Sequence, residues 1–287
     1  MRPSRPLGRL VGEVCVLIVV TGCRGSVANA PSIADFGTGT QSSTNQAAGP
    51  TPERSSETPV AGAEVVDHPN LQIAARLLRS GQFLDAEIVL RSILRERPSC
   101  ARATFLLGVA VMKQKRYAQA RELLEASLAA GQPFADVRQV EHFLGWCCYY
   151  LGDLDAAKRA FQAHVHAVAT AADSYFGLGV IAIDEDRIAD AEQALERSIE
   201  LLPPSPQGDR DRAKALARLG DCALRKERTE EALALYEESS RIFSHHAEVW
   251  GKLARIYDQT SRPEDAAAAR LKQEAISAAA AGEGDAP

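Results

Sequence analysis

A repeated pairing of small residues constrains the fold of this chain more than any other feature. A glycine or alanine recurs six times, and an alanine follows each of them twelve positions later. The six leading positions, separated by steps of 34, 37, 34, 41 and 34 residues, are Ala74, Gly108, Gly145, Gly179, Gly220 and Ala254. Constant spacing within each pair and variable spacing between pairs predict a rigid two-helix unit that is repeated six times. The alanine-rich composition, with 6% aromatic residues, also favours helices.

The small residues are needed where two helices cross. Gly or Ala on the first helix and Ala on the second let the backbones approach closely, while large apolar residues fill the space around the crossing. Ala157→Leu would therefore overpack a crossing and cost about 1–3 kcal/mol of stability. The two longer steps contain Gly-Gln-Pro at residues 131–133 and Pro-Pro-Ser-Pro at residues 203–206, which predict inserted loops because both sequences break helices.

These units resemble the tetratricopeptide repeat, whose pattern is W-x2-L-G-x2-Y, then A-x3-F, then P. The sixth unit carries Trp250, Leu253, Ala254, Tyr257 and Ala266, and the fourth carries Tyr175, Leu178, Gly179, Ala191, Leu195 and Pro203. The resemblance implies an all-α fold, a right-handed superhelical solenoid of about six helix-turn-helix repeats. We expect this array to occupy residues 69–278 and to be followed by a disordered tail at 279–287.

The N-terminal residues form a different pattern. Three arginines within the first nine residues precede a short apolar run that ends in Val-Thr-Gly-Cys at residues 20–23. The run is too short to cross a bilayer, which takes about 20 apolar residues, and it is typical of a secretory signal. Residues 20–23 resemble the lipobox of bacterial lipoproteins, so we expect residues 1–22 to be a signal peptide and Cys23 to be lipidated. In the alternative interpretation the N-terminus is not cleaved and Cys23 is an idle thiol.

A segment rich in Ser, Thr, Gly, Pro and Ala follows, from residue 23 to residue 68. Such a composition cannot bury enough apolar surface to offset the entropy of folding, so it predicts a disordered tether. A flexible coil of roughly 45 residues has an r.m.s. reach of about 35–40 Å. That reach would hold the array near the membrane.

Charge and motif content exclude several function classes. The formal net charge is −5 and there is no basic stripe, which argues against nucleic-acid binding. The sequence has no Gly-rich phosphate loop, HExxH or GxSxG motif, so it predicts no enzymatic activity and no cofactor. No cysteine pair has metal-ligand spacing, and we interpret Cys100, Cys147, Cys148 and Cys222 as packing residues, with disulfides among them left open.

By the resemblance, a protein or peptide partner binds on the concave face, which the first helix of each repeat lines. The predicted partner-binding residues are Phe105, Lys113, His142, Trp146, Tyr149, Tyr150, Phe176, Lys214 and Arg225. An aromatic centre with a charged rim is the usual anatomy of a binding hot spot. In a competing interpretation, Trp146 and the tyrosines pack between neighbouring helices.

Together these patterns predict a lipid-anchored, non-enzymatic scaffold at the bacterial cell envelope. Similar lipid-anchored repeat proteins serve outer-membrane protein assembly, secretin or pilus biogenesis, and control of cell-wall enzymes. The residue after Cys23 is Arg24 and not Asp. In this respect the sequence resembles lipoproteins that are sorted to the outer membrane, so we expect the protein there, facing the periplasm. Two alternatives stay open: a glycan-handling lipoprotein that assists exopolysaccharide export or binds the cell wall, and a cytoplasmic adaptor whose N-terminus is not a signal.

Overall fold

The structure, a computed structural model, describes residues 68–282. Within that range the chain forms α-helices and one 3-10 turn, Val137–Gln139, and no strand. The helices are α1 Asn70–Arg79, α2 Phe83–Glu96, α3 Ala101–Lys113, α4 Tyr117–Ala129, α5 Val140–Tyr150, α6 Leu154–Ala167, α7 Ala172–Asp184, α8 Ile188–Leu201, α9 Pro206–Arg225, α10 Thr229–Ile242, α11 Ala247–Gln259 and α12 Pro263–Gly282. Consecutive helices make six helix-turn-helix repeats in the described residues, as the spacing predicts.

The chain divides into two compact units, which are described separately. The described part of one unit runs to Gly177 and that of the other begins at Leu178, so the division falls inside α7. Each unit has a fully buried aromatic residue in its core, Phe161 in the first and Tyr236 in the second. Both stand at the aromatic position of the A-x3-F pattern, four residues after the repeated alanine, so the pattern correctly identifies these core positions.

The small residues lie where the helices of a repeat cross. A Cβ added to Gly108 would be 2.9 Å from Cγ of Leu124, and one added to Gly220 would be 2.7 Å from Cε1 of Tyr236. The repeated alanines on the second helices, Ala86, Ala120, Ala157, Ala191, Ala232 and Ala266, have no exposed surface. The crossings are therefore as tight as the sequence predicts, and a larger side chain would force the backbones apart.

Each repeat also turns from its first to its second helix through one left-handed residue. The φ angle is between 58° and 81° at the equivalent positions Gly81, Lys115, Gly152, Asp186, Glu227 and Ser261. Glycine adopts this conformation without strain, whereas other residues pay a steric cost. Four of the six turns are therefore strained, a feature that the repeat spacing alone does not reveal.

The two insertions take different forms. Residues 131–133 lie in a loop that leads into the 3-10 turn before α5. Residues 203–205 also form a loop, but Pro206 starts α9, which at 20 residues is longer than the other first helices. Ser205 caps this helix, since its Oγ accepts a hydrogen bond from the Gly208 N–H at 3.0 Å. Proline is favoured as the first helical residue because that position needs no N–H donor.

The predicted segments before and after the array can be compared with the structure only where residues are described. The signal peptide, Cys23 and the tether up to residue 67 lie outside the described residues. His68, the last residue of the predicted tether, is buried, and α12 continues to Gly282, beyond the expected end at residue 278. Among the helices described here, none is both long and apolar enough to cross a membrane.

Candidate functional site: an aromatic cluster and a charged helix face

The predicted partner-binding residues differ widely in exposure. Those that are buried, with 0–7% of their surface exposed, are Phe105, His142, Trp146 and Phe176. Those that are half-buried are Lys113, Tyr149, Tyr150 and Lys214, while Arg225 is exposed. These four side chains pack inside the repeats and keep little or no exposed surface, so partner contact through them stays a prediction. They pack because rings of neighbouring repeats and loops cover them, as Phe134 covers Phe105 at a centroid distance of 5.6 Å.

Trp146 is the centre of this buried aromatic packing. Its ring centroid lies 5.2 Å from that of Phe161 on α6, with the rings at 74°, and 6.2 Å from that of Phe176 on α7. The indole is 2% exposed, and its Nε1 is buried with no hydrogen-bond partner. For Trp146 the structure therefore matches the competing interpretation, in which the ring packs between helices.

The two tyrosines that follow Trp146 keep part of their surface exposed. The Tyr149 ring stands edge-on to Trp146 at 5.8 Å, and the Tyr150 ring lies 6.0 Å from Trp146. Tyr150 also stacks on Tyr117, with centroids 4.5 Å apart and rings inclined by 18°. We call Tyr117, Trp146, Tyr149 and Tyr150 the tyrosine cluster. Tyr117 was not predicted as a site residue, although it occupies the first position of a second helix, where it meets the end of the next repeat's first helix.

A buried polar joint lies next to this cluster. The Ser174 Oγ on α7 is 2.9 Å from Nδ1 of His142 on α5 and 2.8 Å from Nδ1 of His164 on α6. A hydroxyl has one hydrogen, so it donates to one imidazole and accepts from the other. Burial lowers the pKa of His164 to about 4, and burial followed by the charges of His164 and Lys113 lowers the pKa of His142 well below its usual value. Both imidazoles are therefore neutral at pH 7, and they join three helices.

In the second unit, the predicted rim residues belong to a charged face of α9. Charged residues recur along this helix at three- or four-residue steps, which places them on one side. They are Asp211, Lys214, Arg218, Asp221 and Arg225. Lys214 Nζ lies 2.9 Å from Asp211 Oδ1. Arg225 Nη1 donates to Asp186 Oδ1 at 2.8 Å and to the Ile183 carbonyl at 3.1 Å. Both predicted cations are thus ion-paired.

The centre of this face is Asp221, which no sequence motif marks as a site residue. Its Oδ1 accepts hydrogen bonds from Tyr236 Oη and Lys252 Nζ, both at 2.6 Å, and Arg218 Nη1 donates to Oδ2 at 3.0 Å. Burial alone would raise the pKa of Asp221, but Lys252, Tyr236 and Arg218 outweigh burial and lower it. Burial of Tyr236, followed by the charge of Asp221, raises the pKa of Tyr236. Asp221 is therefore a charged residue on α9 whose hydrogen bonds link this helix to α10 and α11.

The four cysteines within residues 68–282 have a packing role. Cys147, Cys148 and Cys222 are buried, Cys100 is half-buried, and all four thiols are free. Burial, followed by the neighbouring Cys148, raises the pKa of Cys147 to about 12, and burial raises that of Cys222 to about 11. Thiols with such values stay protonated at neutral pH, as packing residues do. Within residues 68–282, no group of three or more His, Cys, Asp or Glu side chains is placed to hold a metal ion.

A cavity of about 520 Å³ opens beside the first insertion, between that loop and the turn from α2 to α3. Phe134 contributes an apolar wall, and the charged residues around it are engaged within the protein. His68 Nε2 lies 3.1 Å from Glu96 Oε2, and Arg102 Nε donates to Asp136 Oδ2 at 3.0 Å. His68, Glu96 and Arg102 of the cavity lining are thus paired within the protein.

Comparison with known proteins identifies the repeated unit. Family models described as tetratricopeptide repeat match residues 71–135 and 170–245. No curated protein sequence matches the chain. Among solved structures, the chain is similar to the Cut9–Hcn1 hetero-tetramer of the APC/C, with a TM-score of 0.63 and 17% identity over 72% of this chain and 39% of that one. It thus spans well under half the length of that protein.

Two bacterial structures are also similar. PilF from Pseudomonas aeruginosa matches with a TM-score of 0.58 and 18% identity over 72% of this chain and 89% of that one. The C-terminal part of a repeat protein from Cytophaga hutchinsonii matches with a TM-score of 0.51 and 15% identity over 73% and 80% of the two chains. At such low identities the likeness establishes the fold alone.

Proposed function

We propose that this tetratricopeptide-repeat chain is a non-enzymatic scaffold that holds a protein or peptide partner at the bacterial cell envelope, with lipidated Cys23 as its anchor. The observation that carries the binding half of this proposal is the pair Tyr149 and Tyr150. The two adjacent rings are half-buried and are held in place by Trp146 and Tyr117. Aromatic side chains that are already ordered give contact area at low entropy cost, which is what a binding hot spot requires.

Two of the predicted cations, Lys113 and Arg225, indicate the chemistry of the partner. Lys113 ends α3, is half-buried, and lies close enough to His142 to lower its pKa. A segment with an apolar or aromatic side chain would gain contact area on the two tyrosines, and the positive charge of Lys113 favours a carboxylate in that segment. In the second unit, a partner carboxylate could exchange with Asp186 at the exposed Arg225, because a surface ion pair contributes little stability by itself.

A photo-crosslinking experiment tests the binding half. A benzophenone amino acid placed at Tyr149 or Tyr150 in cells should give a defined adduct with an envelope protein. The matched control is Tyr175, a half-buried tyrosine on α7 outside the tyrosine cluster. No adduct at either position, or the same adduct at Tyr175, would contradict this binding face. Binding of purified cell-wall or exopolysaccharide fractions that is lost in Tyr149→Ala would favour the glycan-handling alternative instead.

The anchoring half rests on the sequence at residues 20–23, and its test is separate. Cys23→Ser should block acylation and leave the protein as an unprocessed precursor or in a soluble fraction. If this variant still fractionates with membranes at its mature size, the anchor is wrong while the binding face stands. Separation of the wild-type envelope into inner and outer membranes then tests the expected outer-membrane location.

A further inference from the structure

The second helix of the first repeat exposes two large apolar residues that the fold does not need to expose. Leu84 and Ile88 on α2 are 66% and 65% exposed and lie one helical turn apart. The equivalent pairs in the five later second helices are small, polar or charged: Ala118 and Glu122, Asp155 and Arg159, Ala189 and Gln193, Glu230 and Ala234, Glu264 and Ala268. The other repeats thus serve as internal controls, and folding does not account for this apolar pair.

The same side of α2 continues with basic residues. Arg91 and Arg95 follow Ile88 at the three- and four-residue steps that keep them on one side of the helix, and both are exposed. Arg91 is held by Glu87, with Nη2 at 2.6 Å from Oε1. We call Leu84, Ile88, Arg91 and Arg95 the α2 face, an apolar half followed by a basic half.

The last helix presents a face of opposite charge. Leu271 on α12 is 68% exposed, and Glu264 and Glu274 lie on the same side at seven residues before it and three after it. The basic residues of this helix are engaged elsewhere: Arg270 pairs with Asp258, and Lys272 Nζ lies 4.1 Å from the ring centroid of Trp250. We call Glu264, Leu271, Glu274 and the intervening alanines the α12 face.

We propose that the α2 face of one copy docks on the α12 face of a second copy of this chain. Antiparallel pairing of the two helices that puts Ile88 against Leu271 also puts Arg95 opposite Glu264. This is because Arg95 comes seven residues after Ile88 and Glu264 comes seven residues before Leu271. The same register places Leu84 over the small Ala275. The mixed contact joins an arginine of one copy to a glutamate of the other, so charge complementarity favours it. This contact does not involve the tyrosine cluster and is independent of the proposed function.

Sedimentation equilibrium of the full chain with Cys23→Ser, which cannot be acylated, tests the proposal. Its weight-average mass should rise above that of one chain as concentration increases. Leu84→Ser with Ile88→Ser, or Leu271→Ser alone, should weaken this self-association by about tenfold or more. An equimolar mixture of those two variants should form two-chain particles, because one supplies an intact α12 face and the other an intact α2 face.

A charge exchange tests the register. Arg95→Glu should weaken association, and adding Glu264→Arg in the same chain should restore it, whereas Arg159→Glu on α6 is the matched control and should have no effect. A mass of one chain at all concentrations, or self-association that survives in either face variant, would overturn the proposal. It would also be overturned if the mass never changes while Leu84→Ser with Ile88→Ser loses binding to phosphatidylglycerol vesicles, since the α2 face would then serve a lipid surface.

Discussion

The ring of Phe161 lies against the backbone of Gly145, so that a Cβ built on Gly145 would be 2.5 Å from Cε1 of the ring. The opposite edge of the ring meets Gly177 on α7, where an added Cβ would be 2.6 Å from Cε2. Phe161 therefore cannot move away from one glycine without striking the other. Three helices are held at the distance that one aromatic ring sets.

Gly145→Ala should consequently destabilise the protein by about 1–3 kcal/mol through overpacking. The matched control is Gly251→Ala on α11, where the added methyl would meet Nε2 of Gln273 at 2.9 Å, the far end of a flexible side chain. That side chain can move, and alanine favours a helix by up to about 1 kcal/mol over glycine, so the control should be neutral or stabilising. Chemical denaturation followed by circular dichroism measures both variants. Equal midpoints would contradict a rigid contact at Phe161.

The left-handed turns predict a pair of opposite effects. Gly152 has a φ of 81° and nothing within 4 Å of an added Cβ, so Gly152→Ala should cost about 1 kcal/mol through the backbone alone. Glu227 has a φ of 59°, and Glu227→Gly should stabilise the protein by up to about the same amount. Thermal melts of the two variants should shift in opposite directions. Shifts of the same sign would mean that backbone strain does not control these turns.

Trp146 and Tyr149 should respond differently to truncation. Trp146→Ala removes a fully packed ring and should lower the free energy of unfolding by about 3–5 kcal/mol. Tyr149→Ala removes a half-buried ring and should cost clearly less, within the usual range of about 0.5–3 kcal/mol for single substitutions. Denaturant midpoints compare the two. If Tyr149→Ala is as damaging as Trp146→Ala, Tyr149 belongs to the core and is not a binding residue.

The buried histidines predict acid sensitivity. The unfolded chain protonates His164 near its ordinary pKa of 6.5, whereas the folded protein does so only near 4. Between these values the unfolded state binds more protons, so stability falls as pH drops, by about 2 kcal/mol between pH 7 and pH 5 for this residue. His164→Asn removes the titrating group and can keep a hydrogen bond to Ser174. Its stability should depend less on pH, and an unchanged slope would contradict the assignment.

For the candidate site, the sequence brought the aromatic residues together but did not show which of them are exposed. Counting positions within a repeat placed Trp146, Tyr149 and Tyr150 together, and their rings are in contact. Counting could not show which ring lies beneath the others, because that depends on the side chains that the next repeat brings. It also missed Tyr117, which comes from a different repeat.

The sequence by itself determined the six two-helix units and the residues at their crossings. The units and the crossing residues follow from contacts within one repeat, where a small residue on the first helix meets an alanine twelve positions later. A constant spacing in the sequence therefore predicts them. Tertiary structure alone decided that Phe105 is covered by Phe134, and that Asp221 joins Tyr236 and Lys252 from two other helices. Burial and charge pairing of that kind depend on how repeats and inserted loops stack, and no spacing within a single repeat carries that information.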